Sequence, residues 1–321
     1  MNSERLKEER GGGPDNRSDL TLQLLRAPFP STYPRELSFS RSREYYLYTS
    51  NRKRYLDCIL AGGAALLGHN PAGLSQALKN RISSGPMVPS RTRDEARLRQ
   101  AVRRLFPSVA TVAAVDLKRV GIDNFESLSG NDGKPLPLWR PFETEIPLKG
   151  VAPGEPEIAG RPWPQPPASE FLLVPSFPLD PDLIVYCGVG GPGQDAWVPG
   201  ADAWEPGEDA WVPGHISPVL LAGLTKAVHL LASAYEGRPL PRKLSRAETS
   251  GWSEPLFTGS VWQRRGVYYG YVGPPQAYGH LKESLMERGI LIPTDPRRPV
   301  ICPRIVTARE RSRWGEICDT L

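Results

Sequence analysis

A glycine-rich run directly after a predicted strand has residue types that could bind a phosphate. The run Gly188-Val189-Gly190-Gly191-Pro192-Gly193 has the spacing G-x-G-x-x-G, and Asp209 follows about twenty residues later. In dinucleotide-binding folds a helix begins at the third glycine, and its N-terminus receives the pyrophosphate. Here Gln-Asp-Ala-Trp-Val-Pro-Gly follows the third glycine and cannot begin a stable helix, and Pro192 lacks an amide donor. We therefore interpret the run as a glycine-rich loop.

Other residues of nucleophilic or metal chemistry form no recognisable pattern. His229 and His280 fall on predicted helices without a Ser, Cys or carboxylate partner at catalytic spacing. The cysteines include no Cys-x-x-Cys pair and have no histidine at ligand spacing, so we expect neither a metal site nor a disulfide framework. The four cysteines are Cys58, Cys187, Cys302 and Cys318. The sequence also lacks a G-x-S-x-G elbow, a G-x-x-x-x-G-K-[ST] loop and an H-E-x-x-H helix.

Residues 194–214 form three seven-residue units, each with Asp-Ala-Trp, one variable residue and Pro-Gly. The three tryptophans could stack on sugars or bases, and the aspartates could bind Ca²⁺. Each unit, however, offers only one or two carboxylates, fewer than a Ca²⁺ loop needs. Because Pro-Gly favours successive turns and three units make a marginal array, the pattern predicts a turn-rich surface insert.

A basic run extends from Lys79 to Arg104, with eight basic residues against Asp94 and Glu95. On the predicted helix over 91–105 the arginines occupy the outer face, which is typical of a solvated helix. No aromatic residues interleave with them as stacking platforms, so we do not expect a nucleic-acid partner. Binding of an anion or nucleic acid through the Arg91–Arg104 helix is kept as an alternative.

The composition predicts a globular chain in a reducing compartment. The net charge is +5 and 39% of the residues are hydrophobic, within 321 residues that include 35 Pro and 31 Gly. The first nineteen residues are polar and lack an apolar core, so we expect a disordered segment and not a signal peptide. No apolar run is long enough to span a bilayer. We therefore expect a cytoplasmic protein without a membrane partner.

Hydrophobic periodicity and turn residues predict an α/β chain. Predicted strands cover 44–49, 55–58, 109–117, 171–174, 183–187, 261–272 (a strand or hairpin) and 300–306. Predicted helices cover 70–83, 91–105, 217–235 and 276–288, and Thr307 with Glu310 forms a capping box for a last helix. Residues 130–169 are dense in Pro and Gly and predict an irregular excursion.

Both ends of the chain resemble a known family. Residues 54–85 carry Tyr55-Leu56-Asp57, Leu67-Gly68-His69-Asn70-Pro71 and Ala77-Leu78, in the order found near the N-terminus of class III, fold-type I, pyridoxal-phosphate-dependent aminotransferases. This group includes glutamate-1-semialdehyde aminomutase. The spacing of His69-Asn70-Pro71 differs from the family pattern. Residues 278–293 and 300–307 similarly resemble the helix-to-strand step of the family's C-terminal small domain.

The resemblance implies a catalytic lysine that forms a Schiff base with the cofactor and a carboxylate that protonates its ring. Pro181 to Gly191 resembles the stretch that carries the lysine, and the lysine position falls on Gly188 or Cys187. No lysine occurs between Lys149 and Lys226. The ring carboxylate is expected after the strand at 171–174, where Pro175 follows instead.

The resemblance also implies cofactor-binding residues, but only weak candidates are present. Ser129 and Gly130 resemble the phosphate-binding stretch of the family faintly, and Gly188 and Gly190 are the candidates in the glycine-rich run.

We predict an α/β fold with a truncated fold-type I transferase-like sheet domain and a small C-terminal α+β domain. The predicted units are a disordered stretch (1–19), an N-terminal segment (20–108), a reduced α/β core (109–237) and the C-terminal domain (238–321). The core contains the excursion at 130–169 and the insert at 194–214.

The sequence favours a degenerate aminotransferase-like protein without transaminase activity, which acts as a binding or regulatory partner. We expect no catalytic residue, no metal and no cofactor, and pyridoxal phosphate only if the family activity is retained. The resemblance implies a homodimer. The alternative is an active pyridoxal-phosphate-dependent aminotransferase or aminomutase that uses a displaced lysine, Lys226 or Lys149.

Overall fold

A computed structural model of the protein describes residues 33–84, 93–118, 130, 133–143, 164, 166–190, 216–236, 261–304 and 306–318. Several predictions concern residues outside these ranges: the segment 1–19, the repeat at 194–214, Ser129, Lys149 and much of the excursion at 130–169.

The N-terminal sheet has the strand order β1-β2-β3-β10. The first three strands, Phe39–Arg43, Tyr46–Thr49 and Arg54–Asp57, form an antiparallel meander, and β10 (Ile290–Leu291) adds to β3 in parallel. The aromatic alternation predicted β2 and β3. The polar β1 (FSRSR) was not predicted, because its exposed face has no apolar side chains. Glu44, predicted to begin a strand, lies in the turn between β1 and β2 at φ 56°.

The central sheet has the order β4-β7-β6-β5, formed by Val109–Asp116, Leu183–Val189, Glu170–Leu173 and Leu138–Trp139. Strands β5 and β6 are parallel, whereas β7 is antiparallel to both of its neighbours. The predicted strands at 109–117, 171–174 and 183–187 are present. β7, however, extends through Val189, so Gly188 lies within a strand beside Glu170 and Thr111 and not in the expected loop.

Three helices pack together beside the central sheet: α1 (Leu74–Ser83), α2 (Arg93–Leu105) and α3 (Pro218–Tyr235). α3 packs on both α1 and α2, and α2 packs on β4. α3 begins as predicted, because the Ser217 hydroxyl accepts a hydrogen bond from the Val219 amide at 3.4 Å. α1 begins at Leu74 and not at Asn70, because Gly73 adopts φ 81° as the N-cap. α3 has the length and hydropathy of a membrane-spanning helix, but more than half of it is buried inside the protein, as in a core helix.

The C-terminal part contains a hairpin, two helices and two short strands. β8 (Trp262–Arg265) and β9 (Tyr268–Tyr271) pair antiparallel, and β11 (Val300–Ile301) pairs with β9. α4 spans Pro275–Glu287 and α5 spans Ala308–Cys318. The predicted capping box is present: the Glu310 carboxylate accepts from the Thr307 amide at 2.9 Å, and the Thr307 hydroxyl accepts from the Glu310 amide at 3.3 Å.

The strand predicted at 300–306 ends at Ile301. Pro303 follows closely and lacks the amide that a further ladder bond needs.

Candidate functional site

Parallel strands end at the same edge of a sheet, and this rule locates the candidate site. β5 and β6 are parallel, so the residues that follow them, Arg140–Glu143 and Val174–Phe177, lie at one edge of the central sheet. We call these two segments the β5–β6 edge. Strand ends of this kind are where open α/β sheets assemble ligand sites.

The lysine and carboxylate positions derived from the resemblance do not meet at this edge. Gly188 pairs with Glu170, at the beginning of β6, whereas the expected carboxylate position follows Leu173 at its end. Because β6 and β7 are antiparallel, the two positions are separated by most of a strand, about 13 Å. The structure therefore does not bring Gly188 or Cys187 together with the residues that follow β6. Sequence spacing alone could not reveal the strand direction.

Arg140 dominates the electrostatics of the β5–β6 edge. Its side chain is 3% exposed. Burial lowers the pKa of the guanidinium, and the nearby Glu143 carboxylate opposes that shift. Glu143 in turn lies 3.4 Å from the Arg265 guanidinium, measured from Oε1 to Nη1. The edge therefore has a buried cation in the position where β5 ends.

Ser176 occupies the corresponding position beyond β6. It is fully buried, and its φ of 48° is uncommon for a residue other than glycine. Its hydroxyl accepts a hydrogen bond from the Leu67 amide at 3.2 Å, which ties the edge to the segment that precedes α1. The next residue, Phe177, packs so closely on α3 that a Cβ on Gly223 would lie 2.8 Å from its ring. Both residues thus fix the chain path.

The other segment of the β5–β6 edge, residues 140–143, is held by aromatic stacking on α3 and by a close backbone contact with the hairpin of β8 and β9. Phe142 stacks on Tyr235 of α3 with ring centroids 4.3 Å apart, and the Phe142 amide donates to the Tyr235 hydroxyl at 2.7 Å. The Phe142 carbonyl accepts from the Val267 amide at 3.1 Å. A Cβ on Gly266 would lie 1.8 Å from that carbonyl oxygen, so only glycine fits in the turn of the hairpin.

A second buried charged group is the carboxylate of Asp57, in the N-terminal segment of the chain. Asp57 is fully buried and accepts from the Tyr33 hydroxyl at 2.7 Å and from the amides of Ile59 and Leu60 at 2.8 and 3.1 Å. His69 Nε2 lies 2.8 Å from the same carboxylate. We call these five residues the Asp57 cluster.

Asp57 and His69 were known only through the family resemblance, and Tyr33 was missed because it lies 24 residues before Asp57. Burial raises the pKa of Tyr33, and the Asp57 charge adds to the shift.

Three lysines in the described part of the chain lie near enough to the central sheet to be considered as amines. Lys118, after β4, is 78% exposed and pairs with Asp182, whose hydrogen bond raises its pKa. Lys134 precedes β5 and so lies towards the opposite edge. Lys226 is on α3, and its Nζ lies 3.2 Å from where a Cβ on Gly73 would be, at the start of α1. Among the described residues, none of these lysines belongs to the β5–β6 edge.

The remaining predicted site residues are dispersed. Gly130 lies in a turn, where its amide donates to the Lys134 carbonyl at 2.8 Å, and Gly190 follows β7 at the edge opposite the β5–β6 edge. In the described ranges no three His, Cys, Asp or Glu side chains form a group that could hold a metal ion.

On α2, most of the arginines are engaged within the protein. Arg97 lies 3.5 Å from Asp94, Arg104 pairs with Glu236, and Arg103 donates to the Val109 and Ala110 carbonyls.

The fold is that of the class III pyridoxal-phosphate-dependent aminotransferases. The ornithine aminotransferase of Plasmodium yoelii aligns with a TM-score of 0.55 and 11% identity, over 96% of this chain and 98% of that one. The acetylornithine aminotransferase of Elizabethkingia anophelis gives 0.54 and 13%, over 91% and 94%. A glutamate-1-semialdehyde aminomutase of Pseudomonas aeruginosa gives 0.52 and 13%, over 88% and 87%.

These alignments confirm the predicted α/β fold, and at such identity they show the fold alone. Because they cover most of both chains, the predicted truncation of the sheet domain is not evident.

Sequence comparison gives shorter matches. An uncharacterized protein of Treponema pallidum (strain Nichols) is 29% identical over 161 residues, which are 48% of this chain and 46% of that protein. One of Borreliella burgdorferi (strain B31) is 30% identical over 105 residues, 33% of this chain and 38% of that protein. The chain therefore spans less than half the length of the curated relatives that it matches. No protein-family model matches the chain.

The β5–β6 edge does not fit pyridoxal phosphate. The cofactor needs an amine for its aldehyde and a carboxylate beside its ring nitrogen, whereas the two strand ends carry Ser176 and the buried Arg140. A buried guanidinium beside a ring nitrogen disfavours protonation of that nitrogen, because two positive charges repel each other. The residue directly after β5 therefore has a charge of the opposite sign to the carboxylate that the cofactor needs, and the Glu143 carboxylate three residues later lies 3.4 Å from the Arg265 guanidinium.

Proposed function

We propose that the protein is a degenerate member of the aminotransferase fold, without transaminase activity, that acts as a binding or regulatory partner. The observation that carries the proposal is the composition of the β5–β6 edge, where Arg140 and Ser176 stand at the two strand ends. Both side chains are buried, and the Ser176 hydroxyl accepts a hydrogen bond from the Leu67 amide. A fold can persist after its site has changed, because stability depends on the core and chemistry depends on a few residues.

A titration with pyridoxal phosphate tests this proposal. We expect the absorbance of the cofactor to change only through weak Schiff bases spread over exposed lysines such as Lys53 and Lys79. After borohydride reduction, mass spectrometry then finds low labelling distributed over several lysines. Stoichiometric labelling of one lysine, with a saturable absorbance band, would overturn the proposal.

Lys226→Met provides the matched variant for the displaced-lysine alternative. If Lys226 were the cofactor amine, this substitution would remove a stoichiometric label while leaving the distributed background. We expect the labelling pattern of Lys226→Met to equal that of the unaltered protein, because the Lys226 side chain lies against Gly73 and not at the β5–β6 edge.

We also propose that the protein forms a homodimer, as the family resemblance implies. Light scattering at several protein concentrations tests this, and we expect a mass twice that of the chain. A mass equal to that of one chain at all concentrations would contradict the proposal.

A further inference from the structure

The N-terminal sheet carries a concentrated positive charge that neither the core nor the β5–β6 edge uses. Residues 35–54 contain six basic side chains and two acidic ones, a net charge of +4, against +5 for the whole chain. Five of the six are arginines. The basic residues are Arg35, Arg41, Arg43, Arg52, Lys53 and Arg54.

Strand register places several of these side chains on one face together with tyrosine rings. Arg41 is opposite Tyr48, which is opposite Arg54, so a row of three side chains crosses β1, β2 and β3. Arg43 is opposite Tyr46 on the same face. We call these five residues the Arg/Tyr face. Basic residues and aromatics therefore alternate across three neighbouring strands.

The guanidinium groups of the Arg/Tyr face lie over the rings. The Arg41 guanidinium carbon is 4.4 Å from the centroid of the Tyr48 ring, and that of Arg54 is 4.5 Å from the Tyr46 ring. These cation–π interactions hold the guanidinium groups over the rings. The side chains of Arg41 and Arg43 are exposed, and Tyr48 is partly exposed. Tyr46 is buried and its hydroxyl donates to the Glu310 carboxylate at 3.1 Å, so the face presents positive charge together with one partly exposed ring, that of Tyr48.

Most of this charge is not neutralised by the protein. Arg54 lies 3.3 Å from Glu310, but in the described ranges no carboxylate pairs with Arg41, Arg43, Arg52 or Lys53. The arginine helix α2 differs, because Asp94, Glu236 and backbone carbonyls occupy Arg97, Arg104 and Arg103. On α2, Arg93 and Arg99 also have no carboxylate partner in the described ranges, so what distinguishes the Arg/Tyr face is that its unpaired charge lies beside a tyrosine ring.

We propose that the Arg/Tyr face binds single-stranded nucleic acid. Guanidinium groups bind phosphates bidentately, and tyrosine rings and guanidinium planes stack on unpaired bases. Three strands of about four residues give a surface of about 10 by 13 Å, which is suited to a few nucleotides and not to a duplex. An acidic peptide would match the charge but would make no use of the aromatic rings. The sequence analysis did not expect a nucleic-acid partner, on the ground that the basic run at 79–104 has no aromatics, and the proposal departs from that expectation.

Fluorescence anisotropy with a labelled oligothymidylate strand of about 20 nucleotides tests the proposal. We expect saturable binding at low salt that weakens as salt rises. Arg41→Gln with Arg43→Gln should lower the affinity at least tenfold and reduce the salt slope by about 0.7 for each phosphate that the variant no longer binds. Both arginines are exposed, so the denaturant midpoint of this variant should stay unchanged.

Two matched variants make the test specific. Arg97→Gln with Arg99→Gln removes the same charge from α2 and should change the affinity less than about twofold. Tyr48→Leu should weaken binding severalfold without changing the salt slope, because it removes a stacking surface and no charge.

Three results would overturn the proposal: no binding at low salt, an equal loss of affinity in the α2 variant, or Tyr48→Leu without effect while polyglutamate competes as well as the oligonucleotide. The last result would assign the surface to acidic peptides. None of these outcomes bears on pyridoxal phosphate, so the failure of either proposal is distinguishable from failure of the other.

Discussion

The Asp57 cluster and the β5–β6 edge are adjacent. They differ in the groups that surround their buried charged side chains, Asp57 and Arg140. In the Asp57 cluster one carboxylate accepts hydrogen bonds from a hydroxyl and two amides and lies against a histidine. Each partner is supplied by the N-terminal segment, where the family resemblance is carried. At the β5–β6 edge, Arg140 is buried in surroundings that lower its pKa.

The difference separates residues that support the fold from residues that stand at the strand ends. A satisfied buried carboxylate fixes the chain path around residues 57–69 and stabilises the fold whether or not chemistry takes place. A site for an amine and a carboxylate, in contrast, serves only catalysis, so its residues can change without loss of the fold. The structure thus combines a fold similar to that of the aminotransferases with strand ends that carry Arg140 and Ser176.

The largest expected effect is on the Asp57 cluster. Asp57→Ala removes a buried carboxylate and leaves the Tyr33 hydroxyl, the His69 ring and two amides without their acceptor, so we expect a loss of about 3–5 kcal/mol in the free energy of unfolding. Urea denaturation measures this loss. Asp295→Ala is the control, because Asp295 pairs with the exposed Arg297 and its removal should cost less than about 1 kcal/mol. Equal losses in the two variants would show that the Asp57 cluster stabilises the fold no more than the exposed Asp295–Arg297 pair does.

The next effect concerns the attachment of the β5–β6 edge to the hairpin. Gly266→Ala places a Cβ 1.8 Å from the Phe142 carbonyl oxygen at φ 60°, so we expect a loss of about 3 kcal/mol from overlap and backbone strain. Gly133→Ala separates the two causes, because Gly133 has φ 74° but nothing within 4 Å of the added Cβ. The free energy of unfolding of Gly133→Ala should fall by about 1 kcal/mol. If the two variants are equally stable, the edge is not held by the hairpin turn.

Sequence reasoning predicted the helices and the longer strands well, because their signals are local. Ser217-Pro218 and the Thr307 capping box define helix starts within a few residues, and β4 and β7 are continuous apolar runs. The failures depend on long-range pairing. β5 has only two residues and forms a strand because it pairs with β6. β1 is polar because most of its side chains are exposed to solvent.

The candidate site was less predictable than the fold. A sequence pattern gives the order of Gly188 and Val174 but not the direction of their strands, which decides whether they can meet. Arg140 had no motif, since its importance comes from burial. The sequence analysis interprets the middle of the chain as a site that lacks the required lysine and carboxylate. The residues that bear on this interpretation are Arg140 and Ser176, whereas the resemblance had aligned Gly188 or Cys187 with the lysine.

A smaller effect is expected from the hydroxyl of Tyr33. Tyr33→Phe removes the donor to Asp57 and the acceptor for the Ala61 amide, so we expect a loss of about 1–2 kcal/mol at neutral pH. Burial and the Asp57 charge raise the pKa of Tyr33 above its ordinary value of 10.0, so the folded protein keeps this proton where the unfolded chain releases it. The contribution is therefore complete below pH 10 and declines as the pH rises further.

Urea titrations at neutral and alkaline pH measure the difference between this variant and the unaltered protein. We expect that difference to shrink above pH 10, by up to about 1.4 kcal/mol for each pH unit. A difference that is constant with pH would mean that Tyr33 is not held neutral by the cluster.

The smallest expected effect is that of the Lys226 ammonium group. Lys226→Met keeps most of the side chain that lies against Gly73 and removes only the ammonium group, which is partly exposed and has no carboxylate partner in the described part of the chain. We therefore expect a change of less than about 0.5 kcal/mol in the free energy of unfolding, measured in urea. Gly73→Ala is the companion variant and should cost more, because its Cβ would lie 2.9 Å from Lys226 Cε at φ 81°. If Lys226→Met were instead the costlier variant, the lysine would have a role that packing against α1 does not explain, and the displaced-lysine alternative would regain support.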